Sequence, residues 1–216
     1  MVKFFPQRKT IRSLWSEPFR NSPQWRTFTG MSGKGRIILD SDRFALTIDR
    51  LCYQLVEEFD DFRDTCLVGI QPKGTLLQDR IYRRLVDHLG IDHVANGKLD
   101  ITFYRDDFRR RERPLEASVT EMDFLVEDKN VVLIDDVLYT GRTVQAALTA
   151  LNHYGRPRAV ELLSLVDRRF NRQLPIFSTF TGIRVDALDE AYVKVEWKEI
   201  SGVDQVLLFA NKQEAQ

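Results

Sequence analysis

Four apolar residues, Val131-Val132-Leu133-Ile134, run directly into two acids, Asp135-Asp136, and after three intervening residues comes Thr140-Gly141-Arg142-Thr143. An unbroken apolar run of this length reads as a strand at the centre of a parallel sheet, covered on both faces. From Thr143 the spacing of Val144, Ala147, Leu148 and Leu151 predicts a helix with one apolar face. The two acids then stand at the carboxyl edge of the sheet, where open α/β folds bind ligands. Gly141 permits close backbone approach, the free N–H groups at the helix start form an anion site, and two threonine hydroxyls add donors. Carboxylates suited to sugar hydroxyls thus lie beside a cradle for one phosphate, the pairing a ribose 5-phosphate requires. Solvated aspartates before a capped helix would leave both the four buried residues and the fixed spacing unexplained. The string GxxxxGK[ST] does not occur, so this is not a nucleoside-triphosphate P-loop.

Elsewhere strand and helix patterns alternate. Ile37-Ile38-Leu39 is a short strand, with Asp40 or Ser41 placed to cap a helix carrying Phe44, Ile48, Leu51, Leu55 and Phe59 on one stripe. Thr65 to Ile70 is a buried strand, and Gln71-Pro72-Lys73-Gly74 breaks it. Leu77, Ile81, Leu85 and Leu89 mark a second helix. Asn96-Gly97-Lys98 reads as a turn, Leu99 to Tyr104 as the next strand, and Asp106 to Thr120 as a polar, arginine-rich loop. Further strands are expected at Ala159–Val166, Ala191–Trp197 and Gln205–Ala210. A doubly wound α/β domain is the economical fold.

Composition narrows the class. At 43% apolar and 30% charged, the 216 residues suit one ordinary globular domain with a full core. No apolar run approaches the roughly 20 residues of a membrane span. Cys52 and Cys66 are too few for a disulfide framework and sit among apolar neighbours, as reduced core thiols of a cytosolic protein would. The zero net charge is unevenly spread. Residues 1–30 hold six basic side chains against Glu17, a surplus of five, which the rest of the chain balances with five negative charges. Nucleic-acid binding through phosphates usually shows a basic surplus in the folded domain, and here it lies in the tail. That tail, with Pro6, Pro18 and Pro23 and no sustained period, reads as an extension outside the core, as an organellar leader, or as residues ahead of a true start at Met31.

Three segments carry a resemblance: Asp135 to Thr143, Asp100-Ile101-Thr102-Phe103-Tyr104-Arg105-Asp106-Asp107, and Leu165-Val166-Asp167-Arg168 with Leu174-Pro175-Ile176. The first resembles the type I phosphoribosyltransferases at large. The other two narrow the likeness to the PyrR group, the pyrimidine operon attenuator/uracil phosphoribosyltransferases, from about Arg36 to Ala210. The resemblance implies a type I phosphoribosyltransferase fold: a central, mostly parallel sheet flanked by helices, a small hood, and a flexible catalytic loop. It further implies a domain from residue 31 to 216, a cytoplasmic protein, and dimers or larger homo-oligomers.

It also implies roles. Asp135 and Asp136 would hold the ribose hydroxyls of phosphoribosyl pyrophosphate (PRPP) and, largely through water, help organise Mg²⁺, which leans on substrate phosphates and retained waters. Thr140, Gly141, Arg142 and Thr143 would take the 5-phosphate, and Gln71, Pro72, Lys73 and Gly74 the pyrophosphate. In this superfamily the latter loop often contains a cis peptide, which Pro72 would make cheap. Tyr104 and Arg105 would lie near the pyrophosphate, with Arg109 and its neighbours Arg110, Arg111 and Arg113 in a loop that closes over the site and excludes water. A solvated arginine run is the alternative for that loop. Val166, Asp167 and Arg168 would face uracil, or Asp167 and Arg168 would form a strand-end ion pair.

Tyr139 replaces the acid that purine-type relatives carry in this loop. A uracil ring nitrogen, acidified by the ring carbonyls, needs less help from such an acid, so Tyr139 favours a pyrimidine. His88, His93 and His153 have no metal-ligand spacing.

Two activities of different class follow. One is an enzyme making UMP and pyrophosphate from uracil and PRPP. The other is an RNA-binding attenuator that senses uridine nucleotides, with Arg43, Arg50, Arg156, Arg158, Arg169 and Arg172 as a possible RNA face. Asp49 and Tyr53 stand where RNA-binding members tend to carry Thr and His, and an aspartate there would repel phosphate. Catalysis is therefore expected to be retained, and high-affinity binding of leader RNA weak or lost.

Overall fold

A computed structural model describes residues 35–107, 117–187 and 190–215. The extension 1–30, a start at Met31, and Arg109, Arg110, Arg111 and Arg113 lie outside those residues. β1 (Arg36–Leu39) ends at Asp40, whose carboxylate accepts the Arg43 N–H at 2.9 Å and caps α1 (Ser41–Phe59). Phe44, Ile48, Leu51 and Leu55 of the expected stripe are buried, and Phe59 partly so. β2 (Thr65–Ile70) is buried throughout. Its Leu67 joins the core on one face of the sheet, while Cys66, Val68 and Ile70 join the core on the other, the alternation any strand imposes. α2 (Gly74–Arg83) passes into a π-helical turn at Arg84–His88, so Leu77, Ile81 and Leu85 stay buried through a change of winding.

The next element departs from expectation. Asn96, Gly97 and Lys98 form no turn: they are the middle of β3 (Ala95–Leu99), parallel to β2 with Val68 opposite Gly97. Local turn preference yields because the ladder with β2 satisfies these backbone groups, and Gly97 lies under Met122 and Phe124. The chain bends where a strand was expected. Asp100 accepts both the N–H and the hydroxyl of Thr102, at 3.3 and 2.7 Å, and a 3₁₀ turn follows at Thr102–Tyr104.

β4 (Asn130–Leu138) leads into α3 (Arg142–Leu151), then β5 (Ala159–Arg168). β6 (Phe180–Val185), unforeseen in the sequence, pairs with β5. β7 (Tyr192–Glu196), α4 (Lys198–Ser201) and β8 (Gln205–Phe209) complete the fold. The main sheet has the order β3-β2-β4-β5-β6, with every neighbouring pair parallel. A second, antiparallel sheet, β1-β8-β7, joins the two ends of the domain into a hood. Among the described residues no helix is long and apolar enough to cross a membrane. Both cysteines are free and buried, and burial pushes the thiol of Cys52 up to about 12 and that of Cys66 to about 11, which makes them poor nucleophiles.

Arg80 of α2 fastens the hood. It donates to Glu199 at 3.0 and 2.6 Å and to Asp204 at 2.7 Å, with its guanidinium 5.0 Å from the Trp197 ring and 5.6 Å from that of Phe44. The Arg80 hydrogen bond holds Glu199 below the usual carboxylate range. At Asp204 burial pulls upward, but Arg80 and the Lys198 N–H outweigh it and the net direction is also down. Carboxyls with depressed folded pKa stabilise above their unfolded values, near about 4, and lose that contribution as pH falls through the lower folded ones. Arg80→Met is therefore expected to melt about 2–4 °C below the parent at neutral pH, roughly 1 kcal/mol for pairs this exposed. Melting curves across pH check it: the difference should shrink below about pH 4, and a pH-independent difference would leave only the ring stacking.

Candidate active site

β4 runs past the end expected at Ile134 and continues to Leu138, with Asp135 opposite Ser164 and Leu138 opposite Asp167. The acids are strand residues because β5 supplies ladder partners beyond the apolar core. Successive strand side chains face opposite ways. Asp135 lines a cleft of about 710 Å³ on one side, and Asp136 a cavity of about 170 Å³ on the other. Both are buried, at 7% and 9% exposure. Burial, reinforced by Asp136, holds Asp135 well above the usual carboxylate range against the Asp136 N–H, Arg105 and Lys73. Burial also raises Asp136, with Lys73, 3.9 Å away, the main opposing charge.

The larger cleft is walled by Arg105 to Asp107, Asp135, and the run from Val137 to Val144. Gly141 has φ +90°, a conformation that strains any side chain, and it swings the chain into α3 so that the helix start faces the cleft. Arg105 forms a two-pronged bridge to Asp107 at 2.8 and 3.0 Å, and Arg142 pairs with Asp106. The smaller cavity is walled by Lys73, Asp136, Val137, Tyr139, Arg168, and Tyr192, Val193 and Val195 of β7. Val137 and Tyr139 therefore wall both spaces. The Arg168 guanidinium lies 4.0 Å from the centre of the Tyr139 ring, a cation–π contact in a site where Arg168 is 4% exposed.

The phosphoribosyl transferase domain family matches residues 35–199. A protein of Picosynechococcus sp. named "Bifunctional protein PyrR" is 44% identical over 171 residues, covering 79% of this chain and 95% of that protein. Another of the same name, from Endomicrobium trichonymphae, is 41% identical over 173 residues, 79% of this chain and 96% of that one. This chain belongs to the PyrR family of phosphoribosyltransferases. Among solved structures, a hypoxanthine phosphoribosyltransferase from Staphylococcus aureus matches 85% of this chain and 96% of its own, with a TM-score of 0.62 at 19% identity. Identity that low speaks for the fold alone, and the fold is the expected type I phosphoribosyltransferase.

Within this PyrR-family chain the expected site residues do not all converge. Arg105, Asp135, Tyr139, Thr140, Gly141, Arg142 and Thr143 share the larger cleft, while Lys73, Asp136 and Arg168 share the smaller with Tyr139. The Gln71–Pro72 bond is cis, and the Gln71 side chain donates to the Val119 carbonyl at 2.7 Å. Gly74 packs on β4: an added Cβ would stand 2.3 Å from the Ile134 carbonyl oxygen. The Tyr104 ring rests against His153, at 5.6 Å between centroids, and is not among the residues lining the cleft. Val166 is fully buried in the core beneath the hood. Asp167 is in an ion pair, but with Arg172 at 2.5 Å. Tyr192, Val193 and Val195 are legible in the sequence as strand residues, but the face of β7 that meets the cavity is set by the hood's packing.

Proposed function

We propose that this chain is a cytoplasmic uracil phosphoribosyltransferase, converting uracil and PRPP to UMP and pyrophosphate. The observation that carries the reading is the shared wall. A phosphate cradle opens on one side of Val137 and Tyr139 and a small, partly apolar cavity with two cations on the other, so a sugar phosphate and a base meet at the end of β4. Thr140 to Thr143 take the 5-phosphate, Asp135 and Asp136 the ribose hydroxyls, and Lys73 and Arg105 the pyrophosphate side. Arg168 suits a carbonyl oxygen of uracil, and Tyr139 and Tyr192 offer ring faces. The bond from C1 of the ribose to pyrophosphate breaks as the bond to the ring nitrogen forms, pyrophosphate leaves with the bonding electrons, and the proton on that nitrogen passes to water. The positive charge that develops on the sugar is stabilised by the two carboxylates.

The donor set fits Mg²⁺ bound with PRPP. Two adjacent carboxyls raised by burial offer oxygen ligands that a cation arriving with the substrate would favour in their ionised form. The ion would neutralise pyrophosphate charge and favour the ionised forms of Asp135 and Asp136; the chain's own part is to hold the sugar beside them.

RNA binding is the second half of the reading, since the relatives are named bifunctional. Four of the six candidate arginines are occupied: Arg43 with Asp40, Arg158 with Asp64, Arg169 with Asp186 and Arg172 with Asp167. Arg50 donates to the carbonyls of Thr181 and Gly182. Asp49 is itself paired with Arg84 at 2.5 Å, so it weighs less against RNA than its bare charge suggests. Purified protein with PRPP, Mg²⁺ and uracil is expected to form UMP, with hypoxanthine and orotate far slower. No UMP, or faster turnover of hypoxanthine, overturns the enzyme reading. A salt-resistant, sequence-dependent gel shift on a pyrimidine operon leader would overturn the expectation that RNA binding is weak.

A further inference from the structure

The segment after β5, residues 171–176, touches the phosphate loop at each residue from Tyr139 to Arg142. Arg172 donates through Nη1 to the Tyr139 carbonyl. The Gln173 N–H donates to the Thr140 carbonyl at 3.0 Å. Ile176 and Leu174 stand 3.3 and 3.4 Å from where a Cβ on Gly141 would be. Arg142 donates through Nε to the Gln173 side-chain oxygen at 2.6 Å. These four residues of the loop are therefore backed by a strap that the chain supplies some thirty residues later.

Arg172 is the member of the strap with the most to do. Its second nitrogen, Nη2, reaches Asp167 at 2.5 Å, and the two side chains are only 16% and 13% exposed. One planar guanidinium thus joins Tyr139, the residue that leads into the cradle, to the end of β5, next to Arg168, which covers the Tyr139 ring. A fork of donors can make both bonds in fixed directions, which an ammonium cannot. We propose that Arg172 is a positioning residue for PRPP: by holding the Tyr139 carbonyl against Asp167 it sets the cradle at Thr140 to Thr143 and the wall between the two cavities as one unit. The role rests on reading that loop as the 5-phosphate site.

The experiment compares Arg172→Met, Arg172→Lys and the double variant Asp167→Asn/Arg172→Met, which leaves no stranded carboxylate. Melting curves establish that each is folded, calorimetry measures PRPP binding with Mg²⁺, and steady-state assays separate KM for PRPP from kcat. Loss of a charge-assisted bond in a nearly buried site should raise KM for PRPP about tenfold in Arg172→Met, with kcat per folded molecule changed less. The double variant should regain stability and keep the raised KM, and Arg172→Lys should fall between. A folded double variant with wild-type KM and PRPP affinity, or a fall in kcat alone at unchanged KM, overturns the proposal. Wild-type protein that binds no PRPP overturns the cradle reading and this role with it, so the two failures are told apart by the wild-type titration.

Discussion

Asp135→Asn is expected to lower kcat/KM by on the order of a hundredfold or more, the scale of losing a charged hydrogen-bond acceptor, and yet to melt about 2–4 °C higher. The two effects share one cause. Asp135 sits at 7% exposure beside Asp136, and burial with that neighbour holds its carboxyl well above the usual range. A carboxyl with a raised folded pKa costs no stability below its unfolded value. The cost grows as pH rises and is complete once pH passes the folded value. An amide cannot ionise, and its oxygen can still accept the Asp136 N–H that Asp135 now accepts at 2.9 Å. The gain in melting temperature should therefore be present at neutral pH and fade in acid, where the wild-type group is already protonated. PRPP with Mg²⁺ should raise the melting temperature of the wild type more than that of the variant, because only the wild type offers the ligand a carboxyl that can ionise. Turnover close to wild type, or a variant that melts lower, would contradict both the role and its cost.

That tension between stability and chemistry also explains why the end of β4 was misread. Acids after Val131–Ile134 look like a strand terminus, since burying them is costly. They remain in the ladder because β5 offers Ser164, Val166 and Asp167 as partners and a cleft opens on either side. Elements with one dominant signal are legible almost to the residue: Thr65–Ile70 is bounded by Gln71-Pro72, and α1 is capped by Asp40, one of the two candidates Asp40 and Ser41. Elements decided by a neighbour were not. Asn96-Gly97 favours a turn locally but lies along β2, and β6 hides behind Gly182, where a Cβ would meet the Leu165 carbonyl oxygen at 2.3 Å. The same division holds for the site. The phosphate cradle is a contiguous string and could be read as one. The smaller cavity draws on Lys73, Asp136 with Tyr139, Arg168 and Tyr192, four places brought together only by the crossovers and the hood.

Gly74→Ala should be among the most damaging small substitutions in the chain, although it adds one methyl at a helix start. The new Cβ would stand 2.3 Å from the Ile134 carbonyl oxygen and 3.1 Å from the Asp135 Cα. Both are backbone atoms of β4, so no rotamer change relieves the contact, and the start of α2 must move off the strand. Overpacking of this kind costs about 1–3 kcal/mol, or roughly 4–8 °C in melting temperature at the middle of that range. Activity per folded molecule should fall as well, by about tenfold, since Lys73 precedes Gly74 and stands 3.9 Å from Asp136. Gly90→Ala makes the comparison, because a Cβ there meets nothing within 4 Å and only the backbone angle, φ +70°, is strained. It should cost about 1 kcal/mol and leave turnover per folded molecule unchanged. If the two alanine variants lose the same stability and both keep full turnover, the close approach of α2 to β4 does not set the site, and the pyrophosphate loop is positioned from elsewhere.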